Sequence, residues 1–200
     1  MNKLTPENKK GKPVDLNESV SLATQEEARE CFKKAAERML HPPVWNKLSG
    51  PLSAEFNLVN EKGQLLLRPA KTGDYLKIDI PGPGGSQGKK FDWVKVEAIE
   101  NNTAPDAPEE QVAMRVRACP NPAEKEKEAA HFFKKDATST FNISRKGNTV
   151  IASYQGRNEE PNTNTGKKAD NLRNTLVSLG AMAGLSELQW SALIKGFLKK

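Results

Sequence analysis

Two alternating runs on either side of a glycine-rich loop constrain this chain more than any other feature. The first is Asp74-Tyr75-Leu76-Lys77-Ile78-Asp79-Ile80; the second is Phe91-Asp92-Trp93-Val94-Lys95-Val96-Glu97-Ala98-Ile99. Apolar and polar residues alternate in both, which is the period of a half-buried strand. Leu76, Ile78 and Ile80 share one face, and Val94, Val96 and Ala98 share the matching face. Pairing Ile78 opposite Val96 sets Asp79 across from Lys95 and Lys77 across from Glu97, while a slide of two residues sets Lys77 against Lys95. Cross-strand electrostatics favours the first register.

More strands of the same kind lie around this pair. Ala54, Phe56 and Leu58 alternate with polar residues, Asn60-Glu61-Lys62-Gly63 makes a hairpin turn, and Gln64 to Arg68 reads as the returning strand. Val112, Met114, Val116 and Ala118 line one face of a further strand, with Arg115 and Arg117 on the other, beside Glu97 and Asp79. Thr138 to Ser144 and Thr149 to Gln155 form a hairpin across Arg145-Lys146-Gly147-Asn148. Turns and loops separate these strands, with no crossover helices, so the sheet is antiparallel.

Helices are signalled at both ends. Thr24-Gln25-Glu26-Glu27 is a capping box, and Ala28, Cys31/Phe32, Ala35/Ala36 and Met39/Leu40 follow it at the helical period until His41-Pro42-Pro43 stops the run. Trp45 and Leu48 are expected where this helix meets the sheet. Near the C-terminus, Leu172, Leu176, Leu179 and Met182/Ala183 form one apolar stripe. Trp190, Leu193, Ile194, Phe197 and Leu198 form a second after the capping box Ser186 to Gln189. This helical hairpin is expected to lay its stripe on the sheet, with Lys195, Lys199 and Lys200 in solvent. The rival arrangement pairs the stripe with a second copy, giving a homodimer through the C-terminal helices. A short helix is expected within Pro120 to Lys135.

The expected fold is therefore α+β: a curled antiparallel sheet or barrel of about seven strands with an N-terminal helix and a C-terminal helical hairpin. Residues 1–22 read as a flexible arm. Residues 23–200 read as a single domain, with a helix at 24–40, the sheet within 53–155 and helices within 168–199. No run approaches the apolar length of a membrane span. Met1 to Glu7 carries a lysine with no apolar run after it, so no secretory signal is read, and the expected location is the cytoplasm. Cys31 and Cys119 fit a reducing compartment.

Charge weighs against a nucleic-acid role. The chain carries a formal net charge of +6, but residues 51–119 hold nine Lys/Arg against ten Asp/Glu. Residues 166–200 hold six basic residues against two acidic ones. A sheet-based nucleic-acid binder needs its positive charge where the phosphates run.

Catalytic and metal chemistry find little support. In Pro81 to Lys90 a phosphate-binding loop would need glycine where Pro83 stands and a hydroxyl residue where Lys90 stands. The dinucleotide pattern fails at Gln87, and both motifs need a helix to follow. Cys31, His41, Cys119 and His131 include no pair closer than ten residues, so no zinc site and no cofactor is read. His131 is the one histidine free to serve a nucleophile, since His41 ends a helix. Asp79 and Glu97 face cations in the favoured register, which suits a solvated ladder better than a general acid.

What remains is binding. Tyr75, Phe91 and Trp93 lie among charges on the outward face of the central strands, where aromatic residues mark contact surfaces. Arg115, Arg117 and His131 are further candidates, and Gly156-Arg157-Asn158-Glu159 adds Arg157 and Asn158 as ligand contacts or anchors for the following linker. The leading expectation is a non-catalytic cytoplasmic binding or interaction protein whose partner is an unidentified protein or small molecule. A small-ligand carrier or enzyme with a pocket between sheet and C-terminal helices is the second reading, and a weak nucleic-acid binder the third.

Overall fold

The computed structural model describes residues 3–50, 53–79, 91–104, 107–124, 133–160 and 187–199. They form an α+β fold around one seven-stranded antiparallel sheet: β1 (Val14–Ser21), β2 (Glu55–Val59), β3 (Tyr75–Asp79), β4 (Asp92–Asn102), β5 (Glu109–Ala118), β6 (Thr138–Lys146) and β7 (Thr149–Arg157). The strand order is β1-β7-β6-β5-β4-β3-β2, with β1 and β2 at its two ends. Helix α1 (Gln25–Met39), a 3-10 turn at Pro42–Val44, α2 (Trp45–Ser49) and a terminal helix α3, helical over residues 187–197, complete the description.

Local chemistry accounts for the helix boundaries. Glu27 N–H donates to Thr24 Oγ1 at 3.1 Å, and the Glu27 carboxylate accepts from the amides of Ala23 and Thr24. That is the capping box the sequence announces. Pro42 and Pro43 then turn the chain so that Trp45 enters the core fully buried. Trp45 meets Phe56, Phe141 and Phe197 with ring centroids 4.8–5.9 Å apart, and its Nε1 donates to Arg38 O at 3.0 Å. Leu193, Ile194 and Phe197 of α3 are buried in the same core, while Lys195 and Lys199 are exposed, as the stripe implies. Arg38 Nη1 donates to the carbonyls of Phe197 and Lys199, placing a cation at the C-terminal end of α3. The first half of the expected helical hairpin, Ser186 of its capping box, the glycine-rich loop, Ile80 and residues 125–132 of the stretch where a short helix is expected lie outside the described residues.

Four expectations are corrected. Residues 14–21, read as part of a flexible arm, form β1 and pair with β7 from Val14↔Gly156 to Ser21↔Thr149. Their apolar side is only Val14, Leu16 and Val20, too sparse to announce a strand without the partner.

Gln64 to Arg68, read as a strand, contributes only the bridge Val59↔Leu65 and the bond from Leu66 N–H to Leu58 O at 2.9 Å. The turn before it is as expected, with Gly63 at φ 75° and Gly63 N–H donating to Asn60 O. Beyond it, Pro69 has no N–H to give a ladder. Arg68 turns aside to clasp Asp74 at 2.7 and 2.9 Å.

The β3–β4 register also differs. Ile78 pairs with Asp92, Leu76 with Val94, Lys77 with Trp93 and Tyr75 with Lys95. Neither of the expected ion-pair rungs exists. Asp74 decides the matter: held by Arg68 and by Lys71 N–H at 2.8 Å, it receives Val96 N–H at 2.8 Å and so starts the ladder four residues from the expected alignment.

Finally, β4 carries a bulge. Val96 pairs with Val116 but Ala98 with Arg115, leaving Glu97 as the extra residue. Beyond it the faces exchange, so Ile99 faces Met114 and Ala98 faces outward, the reverse of simple alternation.

Candidate functional site

The outer face of the sheet collects most of the residues singled out from sequence. Strand parity puts Tyr75, Lys77, Trp93, Lys95, Arg115 and Arg117 on this side, opposite the core residues Leu76, Val96, Met114 and Val116. Phe91, just before β4, joins them: Lys77 Nζ lies 3.6 Å from its ring centroid. Lys95 Nζ stands 5.7 Å from the Tyr75 ring. Both distances fall within cation–π reach. Tyr75 and Phe91 are half-buried, but Trp93 is 7% exposed and is a buried member of this face.

The bulge places Glu97 between two arginines. Arg117 Nε lies 2.5 Å from Glu97 Oε1 and its Nη2 3.2 Å from Oε2, while Arg115 Nε lies 2.8 Å from Oε2. Burial pushes the Glu97 carboxyl upward, but hydrogen bonding and charge from Arg117, then from Arg115, outweigh it and hold the group below its usual range. Arg117 Nη1 also donates to Asp136 O. The expected neighbour Asp79 instead lies across from Glu55. Beside this cluster, burial pushes the Cys119 thiol up to about 12 against the opposing charge of Lys95, which disfavours the thiolate.

Arg157 and Asn158 sit elsewhere, at the end of β7, and serve the N-terminal segment. Arg157 donates to Val14 O and to Asp15 Oδ1 at 2.9 and 2.6 Å. Asn158, with φ 57°, accepts at Oδ1 from the amides of Lys9 and Lys10. The loop thus holds the N-terminal segment, which neither reading of it names, and the linker after residue 160 lies outside the described residues. His131 lies outside the described residues.

Sequence reasoning did not single out one further group. On the core face, the Tyr154 hydroxyl donates to Glu159 Oε1 at 2.8 Å and lies 3.0 Å from Ser139 Oγ. Trp190 stacks on the Tyr154 ring, centroids 5.1 Å apart. Burial raises both the Tyr154 phenol and the Glu159 carboxyl, and Glu187 of α3 raises them further. The Glu159 contact depends on Gly156 having no side chain, so only a paired β7 with the chain folded back over it would reveal it. Among the described residues, the rings of Trp45, Phe56, Phe141, Tyr154, Trp190 and Phe197 pack on one another between sheet and α3. Among the described residues, no group of three or more His, Cys, Asp or Glu side chains could hold a metal ion, and no helix is long and apolar enough to cross a membrane.

No protein-family model and no curated protein matches this sequence. Solved structures with a similar chain course include TTHA0849 from Thermus thermophilus, at 12% identity and TM-score 0.39, covering 94% of this chain and 97% of that one. Another is norcoclaurine synthase from Thalictrum flavum in complex with dopamine and hydroxybenzaldehyde, at 10% identity and TM-score 0.36, covering 98% and 94%. Protein Ms6760 from Mycobacterium smegmatis is similar at 17% identity and TM-score 0.35, covering 90% of each chain. A likeness at this level carries no ligand or activity across.

Proposed function

We propose that this is a non-catalytic binding protein that takes an acidic partner on the outer face of β3 and β4. One observation carries the reading. Lys77 and Lys95 are diagonal neighbours held over Phe91 and Tyr75, and neither ammonium has a carboxylate partner among the described residues. Arg115 and Arg117, by contrast, share the carboxylate of Glu97. Two lysines steadied on aromatic rings present positive charge at reduced entropic cost, which suits a carboxylate-bearing segment of another protein.

The same geometry weighs against single-stranded nucleic acid. Such ligands stack bases on open aromatic faces. Here an ammonium stands over Phe91 and over Tyr75, and Trp93 is buried.

The test is titration of a fluorescent glutamate-rich peptide and of a single-stranded oligonucleotide at low salt, with wild type and the K77A/K95A double variant. The peptide is expected to bind wild type and to lose about tenfold in affinity in the variant, one decade being about 1.4 kcal/mol. Tighter oligonucleotide binding, or an unchanged peptide affinity in the variant, would overturn the reading.

A further inference from the structure

The outer face of β5, β6 and β7 is mostly polar, and part of it is buried. Ala113, Thr140 and Ser153 are buried there, as is Thr138. Residues 4–10, which have no regular secondary structure, run beside this face and are gripped through their main chain. Arg115 Nη1 donates to Leu4 O at 3.0 Å. Asn158 Oδ1 accepts from Lys9 N–H at 2.7 Å and from Lys10 N–H at 3.1 Å, and its Nδ2 donates to Glu7 O at 3.3 Å. A single apolar side chain, Leu4, is buried with the segment at 7% exposure.

Two polar side chains add to this: Asn158 N–H donates to Asn8 Oδ1 at 2.8 Å, and Thr5 Oγ1 donates to Gln155 Oε1 at 3.4 Å. The four main-chain contacts do not depend on the sequence that is bound, while Leu4, Thr5 and Asn8 supply the choice. This is how folded domains take extended peptides: main-chain bonds supply affinity and a side-chain anchor supplies choice.

The present occupant also fits incompletely. The hydroxyls of Thr138 and Thr140 are buried with no hydrogen-bond partner. Thr140 lies directly across from Arg115 and Thr138 directly across from Arg117. Buried hydroxyls left unpaired cost free energy that an occupant with a hydrogen-bonding side chain would recover. A cleft of about 370 Å³ also stays open between residues 6–10 and Arg117, Asp136 and Asn158.

We infer that the outer face of β5–β7 is a peptide-binding groove, occupied in cis by residues 4–10 and available in trans to an extended peptide from another protein. The foreign peptide carries an apolar residue at the place of Leu4 and a hydrogen-bonding side chain that reaches Thr138 or Thr140. The chain's own segment acts as a competitor that sets the threshold for binding. The groove stands apart from the proposed acidic-partner surface on β3 and β4, and neither depends on the other.

The experiment uses the full chain. Leu4→Asp places a charge where the anchor is buried, and hydrogen exchange at the Lys9 and Lys10 amides reads whether the segment has left Asn158. A fluorescent peptide of the sequence Met1 to Lys12 then serves as the probe in trans. In L4D the two amides are expected to exchange at least tenfold faster, while far-UV circular dichroism is unchanged. The peptide should bind L4D one to one and at least tenfold tighter than wild type, and adding Asn158→Ala should abolish the binding. If L4D does not hold its fold, Leu4→Ala gives the same readings at smaller amplitude. The inference is overturned if the amides stay protected, if they are released and the peptide does not bind, or if wild type binds the peptide equally well. A concentration-dependent dimer with protected amides would also overturn it, because the occupant would then be a second copy.

Discussion

Tyr154 donates its phenolic proton to Glu159 Oε1 across 2.8 Å, and the carboxylate reaches it by folding back over Gly156. A Cβ at position 156 would stand 2.4 Å from Glu159 Oε1 and 2.8 Å from its Cδ. The bond therefore exists because residue 156 has no side chain. With Tyr154 donating, Ser139 Oγ 3.0 Å away is left to donate in turn. The result is a buried chain of three polar groups under the Trp190 ring.

The first prediction follows from the charge on Glu159. Burial, then Glu187, raise its carboxyl above the ordinary value of 4.5, against the opposing effects of Tyr154 and Arg157. A raised folded-state value means the contribution to stability is fully present below about 4.5 and is lost as pH rises through the folded value. Glu159→Gln keeps an acceptor for Tyr154 and removes the charge. Its melting temperature relative to wild type is expected to rise from pH 4 to pH 7. A difference that is flat with pH would remove the claim that this carboxylate is held against its preference.

Glu97 predicts the opposite sign. Despite its burial, Arg117 and Arg115 hold it below its ordinary value, so its contribution is present above about 4.5 and is lost as pH falls through the folded value. Glu97→Gln is therefore expected to destabilise at pH 7 and to differ little from wild type at pH 3. Removing one partner from such a partly buried cluster is expected to cost about 1–3 kcal/mol at neutral pH. Thermal melts of both variants across one pH series test the two signs together.

Arg145 is buried to 1% exposure and fully engaged. Its Nε meets Glu110 Oε2 at 2.6 Å, its Nη1 meets Gly147 O at 3.0 Å and its Nη2 meets Ala107 O at 2.7 Å. It ties the start of β5 to the β6–β7 turn. Arg145→Met leaves Glu110 buried without its partner, a class of change that costs about 3–5 kcal/mol. Chemical denaturation is expected to show a loss of that size, and a loss below about 1 kcal/mol would mean that water replaces the guanidinium readily.

Gly196 lies where α3 crosses α2. A Cβ there would meet Leu48 O at 2.7 Å and Leu48 Cβ at 2.8 Å. Gly196→Ala gains up to about 1 kcal/mol of helix propensity. It also forces two backbones apart, at an overpacking cost of about 1–3 kcal/mol. The expected outcome is a lower melting temperature and lower near-ultraviolet ellipticity from Trp45 and Trp190. A melting temperature at or above wild type would show that α3 can move off Leu48 freely.

Much of this architecture was legible before any coordinates, because its signals are short-range. The capping box at Thr24 and Glu27, the stop at Pro42 and the stripe of Leu193, Ile194 and Phe197 each depend on residues within a few positions of one another. So do the alternation of β5 and the turn at Gly147. For the same reason Tyr75, Trp93, Arg115 and Arg117 could be assigned to one outward face. What sequence could not supply was every feature set by a partner distant along the chain. Residues 14–21 became a strand because β7 offers them a ladder, although their own pattern is weak. The β3–β4 register is the exception: Arg68 and Lys71, six and three residues away, hold Asp74, and neither alternation nor charge pairing announces that bond. Glu97 became the hub of two arginines only through a bulge, which shifts alternation by one and leaves no mark in the sequence. Asn158 acquired its role when the N-terminal segment and the end of β7 met across more than a hundred residues. Periodicity reports which way a side chain faces, and only tertiary structure decides which neighbour it faces.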